Sequence, residues 1–397
     1  MKANKKIILL LLICCLICCL MSGCWDKVEI DRKSFISTIA IDTGKDIDKE
    51  KEFKKIKPNE QIQEEELKKL SITYGFPDIS ELGPGKGGTA KEEFVTVGAY
   101  SMDDALEEMT ARTSRSIHFG HTKLLILSEE LLYYPETFKE VLDYLERKPS
   151  INKTMKVIVS KGKAEHYVKY KPIMEKNIET YITGLMENSN RNASILPITL
   201  NELLSLLHQN GNAIIPSIYY NKAKNEVNLS GVAMIKKFKL DGYLNEIETA
   251  GLELLRGKLK GGKYTIVREG HPVDFEISDI NRKIALVDKD VKKLKFKVNL
   301  KLEGSLEGYT IQEEVFSDSK IKEMEKNFND SIEKQCEKVA RITQEKFSID
   351  PIGFREYIEK FHPYLYKEVK DKWDEVYKNA NIDVEVDTKI RRIGITK

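Results

Sequence analysis

The sequence predicts an α+β, multidomain protein, with a mixed αβ N-terminal region and a C-terminal domain in which long helices pack on an antiparallel-rich sheet. Its 397 residues are too many for one compact core. In the first half, strand-like apolar runs alternate with amphipathic helical segments, which favours a mixed sheet covered by helices. In the second half, strands are followed by two long helical patterns and a last strand, an order typical of α+β domains.

Residues 1–23 are predicted to be a lipoprotein signal peptide. Three lysines precede the apolar residues 7–21, a run of 15 residues that is shorter than the ~20 needed to cross a bilayer. The run ends in Met21-Ser22-Gly23-Cys24, which resembles a bacterial lipobox, although Met21 stands where leucine is usual. We therefore expect cleavage between Gly23 and Cys24 and lipid attachment to the Cys24 thiol. The alternative is an ordinary secretory signal that happens to be followed by cysteine.

Cysteine usage and charge agree with an exported, tethered protein. Four of the six cysteines lie in the signal peptide: Cys14, Cys15, Cys18 and Cys19. Lipid would occupy Cys24, so only Cys336 remains and no internal disulfide can form. We expect Cys336, which lies in a helical pattern, to be a buried structural thiol. Removing the three signal lysines from the 65 basic residues leaves 62 against 63 acidic ones, interspersed without a dominant block, which is unlike a nucleic-acid-binding surface.

Residues 24–197 are predicted to form an N-terminal αβ domain. A strand-like run at residues 34–42 ends at the turn signal Asp42-Thr43-Gly44, and the charged residues 45–69 that follow are expected to be a mobile insertion. Strands and helices then alternate: a strand at 93–100, a helix opening at Ser101 with apolar Ala105 and Met109, a strand at 123–127, a helix at 138–145 and a strand at 155–159.

Residues 198–225 are predicted to be a connector or a small intermediate domain. Their composition shifts towards asparagine, serine and leucine. They contain a short helical piece at residues 200–207, closed by Asn210-Gly211-Asn212.

Residues 226–397 are predicted to form the C-terminal α+β domain. A hairpin at 232–243 is expected to turn at Lys239-Leu240-Asp241-Gly242. Apolar residues alternate with polar ones at Leu294, Phe296, Val298, Leu300 and Leu302, which indicates a strand with one wet face. The other expected elements are strands at 264–267, 273–277 and 284–287, helices at 320–346 and 354–378, and a last strand at 382–386.

The sequence offers little that favours catalysis, so no enzyme activity, cofactor or metal is expected. His118 and His121 flank a glycine and lack the further ligands that a metal site needs, so a structural role is preferred. The glycine-rich residues 83–88 satisfy a dinucleotide-binding pattern but follow no convincing strand, and a flexible loop is the better interpretation. No nucleophile elbow occurs. The residues themselves therefore indicate a lipid-anchored binding or scaffolding protein.

Several segments, in order along the chain, resemble the Ger(x)C family, the C subunits of GerA-type bacterial spore germinant receptors. Cys24-Trp25-Asp26-Lys27-Val28-Glu29-Ile30 is similar to the start of the mature proteins of that family. Arg112-Thr113-Ser114-Arg115, leading into His118-Phe119-Gly120-His121, is similar to a later segment. Gly231-Val232-Ala233-Met234 is similar to the opening of the C-terminal domain.

The resemblance implies a non-enzymatic spore lipoprotein on the outer face of the spore inner membrane. It also implies that the chain acts with membrane-embedded A and B receptor subunits to couple nutrient sensing to germination, and it leaves direct germinant binding open. Five motif positions are carried over as structural or partner contacts: Trp25, Asp26, Glu29, Arg115 and His121. Two other functions remain open, a solute-binding lipoprotein of an import system and, less favoured, a surface hydrolase.

Overall fold

A computed structural model describes residues 32–53, 55, 67–78, 82–83, 86–87, 90–191, 193–259, 261–307 and 317–393. The predicted cleavage and lipid-attachment residues Gly23 and Cys24 lie outside this range, as do Trp25, Asp26 and Glu29. The α+β, multidomain prediction is confirmed. No helix among the described residues is both long and apolar enough to span a bilayer.

Within the described residues, eight strands form one mixed sheet, the larger sheet. Side by side they are β12 (Lys239–Leu244), β11 (Glu226–Lys236), β10 (Ala213–Asn221), β9 (Lys156–Ser160), β8 (Leu124–Ser128), β2 (Thr38–Thr43), β3 (Leu70–Pro77) and β6 (Glu92–Ala99). The central strands β10, β9, β8 and β2 are parallel, and the outer pairs are antiparallel. Every residue of β8 is buried, because a parallel strand in mid-sheet is covered on both faces.

Helices cover both faces of the larger sheet. After the short helix α1 (Glu50–Phe53), they are α2 (Met102–Ala111), α3 (Pro135–Arg147), α4 (Ala164–Val168), α5 (Ile178–Glu187) and α6 (Leu200–Asn210). Helices α2, α3 and α6 share a core with Ile39 and Leu125, whereas α4 and α5 share a core with Ala40 and Leu124. Neighbouring strand residues therefore enter different cores, as the two-residue period of a strand requires.

A second, smaller sheet belongs to the C-terminal region. In the part of the chain that the structure describes it has four strands: β13 (Gly262–Arg268), β14 (His271–Asp288), β15 (Lys295–Glu307) and β16 (Asn381–Ile393). Strands β13 to β15 are antiparallel, and β16 runs parallel to β15. The alternating apolar residues of β15 are buried, as predicted.

The helices of the C-terminal region are α7 (Glu246–Arg256), α8 (Asp318–Ile342), α9 (Phe354–Phe361), α10 (Pro363–Val369) and α11 (Trp373–Asn379). Helix α8 continues into a π-helical turn at Thr343–Phe347. Cys336 lies buried in α8, and burial raises the pKa of its thiol to about 12, so its predicted burial is confirmed.

The chain reverses between β11 and β12 at a different place from the predicted one. The expected turn at residues 239–242 is wrong, because Lys236 already pairs with Lys239. The turn residues Lys237 and Phe238 have φ of 49° and 65°, the pattern of a type I′ hairpin. Gly242 lies inside β12, beside a register shift in which Asp241 has no pairing partner in β11.

Two further elements differ from expectation. The strands predicted at 273–277 and 284–287 are one strand, β14, which passes through a register shift between Ile277 and Asp279. The helix predicted at 354–378 is three helices. The first break follows Phe361, the last residue of α9, because Pro363 cannot donate a backbone hydrogen bond.

Part of the charged insertion, predicted to be mobile, forms a short helix that contacts α3. Glu50 of α1 accepts hydrogen bonds from the backbone N–H (2.8 Å) and hydroxyl (2.7 Å) of Thr137, so it caps the first turn of α3. Residues 56–66 of the insertion lie outside the described range. The glycine-rich residues, expected to be a loop, include two short paired strands, β4 (Leu82–Gly83) and β5 (Lys86–Gly87).

The larger sheet continues beyond the predicted domain division. Residues 198–225 contain α6 and β10, and β10 lies inside the larger sheet between β9 and β11. Strands β11 and β12, which follow residue 225, join the same sheet. The division at residues 197 and 225 stays a prediction, whereas sheet membership changes between β12 and β13.

Candidate functional site

A cleft of about 1030 Å³ lies between the larger sheet and the C-terminal region. One wall is formed by α6 and residues 197–199, and the other by the middle of β14 and residues 349–353. The end of α7 closes one side. The cleft is lined by basic and acidic side chains from segments that are far apart in sequence.

The basic side chains gather where α7 ends. Arg256 is its last residue, and Gly257 continues in the left-handed region with φ of 62°. A Cβ atom at Gly257 would lie 2.5 Å from the Cβ atom of Arg282 on β14, so only glycine allows this approach. Arg282 donates to the carbonyl oxygens of Leu255 (3.0 Å) and Ile352 (2.9 Å), which ties the end of α7 to the wall formed by β14 and residues 349–353.

Neighbouring charge and burial both lower the pKa values of basic side chains at this end of the cleft. The neighbouring Arg256 guanidinium, followed by partial burial, lowers the pKa of Lys258. Burial, followed by Arg256, lowers the pKa of Arg282. Positive charge is therefore concentrated at this end of the cleft, and a bound anionic group would reduce the repulsion between these side chains.

The acidic side chains of the cleft differ in how many hydrogen bonds they already accept from the protein. Glu253 accepts a hydrogen bond from Arg256 at 3.1 Å, and burial raises the pKa of its carboxyl. Asp350 accepts four hydrogen bonds, from the backbone N–H groups of Ile352, Gly353 and Arg355 and from the indole N–H of Trp373. These four hydrogen bonds fix the conformation of the loop before α9. Among the described residues, no cluster of three or more histidine, cysteine, aspartate or glutamate side chains could hold a metal ion.

The predicted motif residues Arg115 and His121 lie away from this cleft. Arg115 forms an ion pair with Asp78 at 3.5 Å. The exposed His121 ring meets the Phe35 ring edge-on, with centroids 5.0 Å apart, and the centroid of the His118 ring lies 5.8 Å from that of Phe35. Phe35 belongs to β1 (Lys33–Phe35), which pairs with β7 (Ser116–His118). The assignment of Arg115 and His121 as structural or partner contacts stays a prediction.

A small polar cluster marks the edge of the larger sheet where β2 and β8 begin, here called the entry edge. Ser37, immediately before β2, donates to the Glu92 carboxylate at 2.9 Å. Lys123, immediately before β8, approaches the buried Glu179 at 3.6 Å. Burial, opposed by the hydrogen bond from Ser37 and helped by the nearby Glu179 carboxylate, raises the pKa of Glu92 to about 7. Sequence reasoning missed this cluster because Ser37 and Glu92 are 55 positions apart.

We expect Glu92→Gln to flatten the pH dependence of stability. The folded pKa exceeds the ordinary value, so between about pH 4.5 and about pH 7 the folded chain holds a proton that the unfolded chain has lost, and the free energy of unfolding falls as pH rises through this window. Because Glu92 is partly exposed, we expect a fall of about 1–2 kcal/mol in the unsubstituted chain. Urea unfolding on both sides of the window measures it, with exposed Glu93→Gln as the control. An equal fall in the Glu92→Gln variant would contradict this prediction.

We expect His121→Ala to reduce stability only slightly, by about 0.5 kcal/mol, because an exposed ring loses one edge-on aromatic contact. Thermal unfolding of the variant gives the stability. Unchanged stability together with lost biological activity would instead assign His121 to a partner interface.

Comparison with known proteins gives the family. A family model described as "Spore germination protein N-terminal domain" matches residues 26–219, and one described as "Spore germination B3/ GerAC like, C-terminal" matches residues 230–394. The chain belongs to the GerAC-like spore germination proteins. The resemblance drawn from the sequence segments is confirmed.

Individual GerAC-like proteins match along most of the chain. "Spore germination protein YndF" of Bacillus subtilis (strain 168) is 28% identical over 390 residues, covering 95% of this chain and 94% of the relative. "Spore germination protein B3" of the same organism is 23% identical over 381 residues, covering 94% and 95%. The solved "Crystal Structure of the GerBC protein" has a TM-score of 0.58 and 22% identity, and covers 81% of this chain and 93% of that one. The GerAC-like chain therefore has the GerBC fold.

Proposed function

We propose that this chain is the lipid-anchored C subunit of a spore nutrient germinant receptor. It acts on the outer face of the spore inner membrane, with membrane-embedded A and B subunits, to couple nutrient sensing to germination. The observation that carries the proposal is the pair of family matches, which together span residues 26–219 and 230–394 behind a predicted export signal and Cys24.

The geometry suits a tether at Cys24. Strand β1 begins at Lys33, nine residues after Cys24, and nine extended residues reach at most about 30 Å. The entry edge, two residues beyond β1, would thus be held close to the lipid surface. A body held there by its lipid meets membrane-embedded partners at high effective concentration.

Deletion of the gene in its host tests the proposal, with spore germination followed by loss of optical density across a panel of nutrients. We expect selective loss of the response to one nutrient class, restored by the unsubstituted gene. A normal response to all nutrients, with no A or B subunit recovered by pull-down from spore membranes, would overturn the proposal.

The cleft favours a second candidate function, a solute-binding lipoprotein of an import system. Its position between two regions, with convergent groups of both charges, suits a small zwitterionic solute. Calorimetric titration of the mature chain with a panel of amino acids separates the two functions. Binding in the absence of partners, weakened by Lys258→Gln but not by exposed Lys222→Gln, would support the solute binder. Heat of binding from the isolated chain would count against the receptor-subunit proposal.

A further inference from the structure

We propose that residues 169–177, here called the docking loop, insert an apolar tip into the headgroup region of an anionic lipid bilayer. This inference rests on the proposed lipid anchor at Cys24, because the anchor holds the loop near the bilayer. It adds a second contact with the same membrane, made by the folded body.

The tip of the docking loop is apolar and faces solvent. Ile173 and Met174 are 88% and 91% exposed, which is more than the other large hydrophobic side chains in the described part of the chain. The residue before them, Pro172, is buried, and Tyr170 packs on the core that α4 and α5 share, with its ring centroid 6.4 Å from that of Tyr220. The loop is therefore held on the body, while its two tip residues are turned outwards.

Both ends of the docking loop are fixed near the entry edge. Before the loop, the Val168 side chain of α4 lies 3.4 Å from the point that a Cβ atom would occupy on Gly75. Gly75 pairs with Thr38 at the start of β2. After the loop, α5 begins with Asn177 as its cap, and Glu179 in its first turn approaches Lys123. The chain arriving from Cys24 enters the fold at this same edge through β1. A membrane reached by the tether is therefore within reach of the loop.

The charges around the tip complement an anionic surface. Lys171 and Lys176 flank the tip and are exposed, and Lys169 precedes it. One acid, Glu175, lies beside the tip, and Lys169 is paired with Glu165 at 2.6 Å. Lysines beside an apolar tip can bind anionic headgroups while their stems lie along the acyl boundary.

A lipid surface fits the tip better than a protein partner or a second copy of the chain. A stable protein interface needs about 800 Å² from each partner, far more than two side chains provide. Shallow insertion needs much less, because the tether makes it an intramolecular event with a high effective concentration. The small, protruding, lysine-flanked tip therefore matches an interfacial anchor.

A fluorescent probe on the mature, lipidated chain tests the inference. Met174→Cys is labelled with an environment-sensitive nitrobenzoxadiazole dye, which is selective because Cys24 carries lipid and Cys336 is buried. Val267→Cys, 75% exposed in the β13–β14 hairpin, is the matched control. The chains are mixed with vesicles of phosphatidylglycerol and phosphatidylcholine, and acyl labelling of Cys24 is read in parallel.

We expect the probe at residue 174, but not at 267, to shift to the blue and to be quenched by brominated lipid chains. Ile173→Asp should abolish both signals, and Lys171→Gln should weaken docking about five-fold, an effect that high salt reproduces. A probe at 174 that stays in water on an acylated, vesicle-bound chain overturns the docking loop and leaves the anchor intact. A shift that requires spore membrane proteins also overturns it, in favour of a protein partner. If Cys24 carries no acyl chain, the proposed anchor fails, and the dye is placed instead on a chain with both Cys24→Ser and Met174→Cys, in which a blue shift on anionic vesicles would still support the loop.

Discussion

Cys24→Ala is expected to release the mature chain from the membrane and to reduce nutrient-induced germination sharply. The substitution removes the thiol to which lipid would be attached. Each buried methylene of an acyl chain contributes ~0.8 kcal/mol, so two chains give a hold on the membrane that is effectively permanent. Without them, two tip residues and a few lysines of the docking loop provide only weak, reversible binding.

Metabolic labelling with a palmitate analogue measures the attachment, and membrane flotation measures retention. Cys19→Ala is a matched control, because Cys19 lies in the predicted signal peptide and is absent from the mature chain. Label retained on Cys24→Ala would contradict the anchor. Loss of label with normal germination would show that receptor function does not need it.

Asp350→Ala is expected to lower the free energy of unfolding by about 3–4 kcal/mol, a large share of the stability of a typical domain. The carboxylate accepts hydrogen bonds from the backbone N–H groups of residues 352, 353 and 355 and from the Trp373 indole. Alanine leaves these largely buried donors without an acceptor, and each such loss costs about 1–3 kcal/mol before relaxation. The loop before α9 should then loosen, and with it one wall of the cleft.

Urea unfolding compares Asp350→Ala with two other variants. Exposed Asp371→Ala, on the segment before α11, should change stability by less than about 0.5 kcal/mol. Asp350→Asn should lie in between, because its amide oxygen can still accept from Ile352 and Gly353 while its NH₂ group faces two donors. Equal stability of the Asp350→Ala and Asp371→Ala variants would show that the four hydrogen bonds contribute little.

Elements specified by local chemistry were predictable from the sequence. Helix α6 begins with a capping box between Thr199 and Glu202, and its C-cap is Gly211, whose φ is 77°. Residues next to the helix therefore set both of its boundaries. The alternation in β15 predicted its buried face for the same reason. Helix α2 also starts directly after Ser101, as predicted, because the Ser101 hydroxyl accepts a hydrogen bond from the backbone N–H of Asp104 within one turn.

Elements stabilised by distant partners were not predictable. The turn at Lys237 and Phe238 is held by hydrogen bonds to the Asn212 side chain and the Gly211 carbonyl, contacts that only the assembled sheet provides. Nothing in the sequence near Gly242 says that this glycine lies inside a strand. The raised pKa of Glu92 likewise depends on burial and on Glu179 of α5, which only the assembled fold brings close to Glu92.

The sequence by itself determined the class of the fold, most local elements, the family, and the expectation of a lipid-modified Cys24, because these depend on periodicity, caps and short segments. The tertiary structure alone decided the order of strands in the larger sheet, the charged cleft, and the meeting of the docking loop with the entry edge. These features arise from contacts between residues far apart in the chain, such as Arg282 with Ile352 or Lys123 with Glu179. Such contacts leave no mark on local patterning, because each partner on its own is compatible with many surroundings.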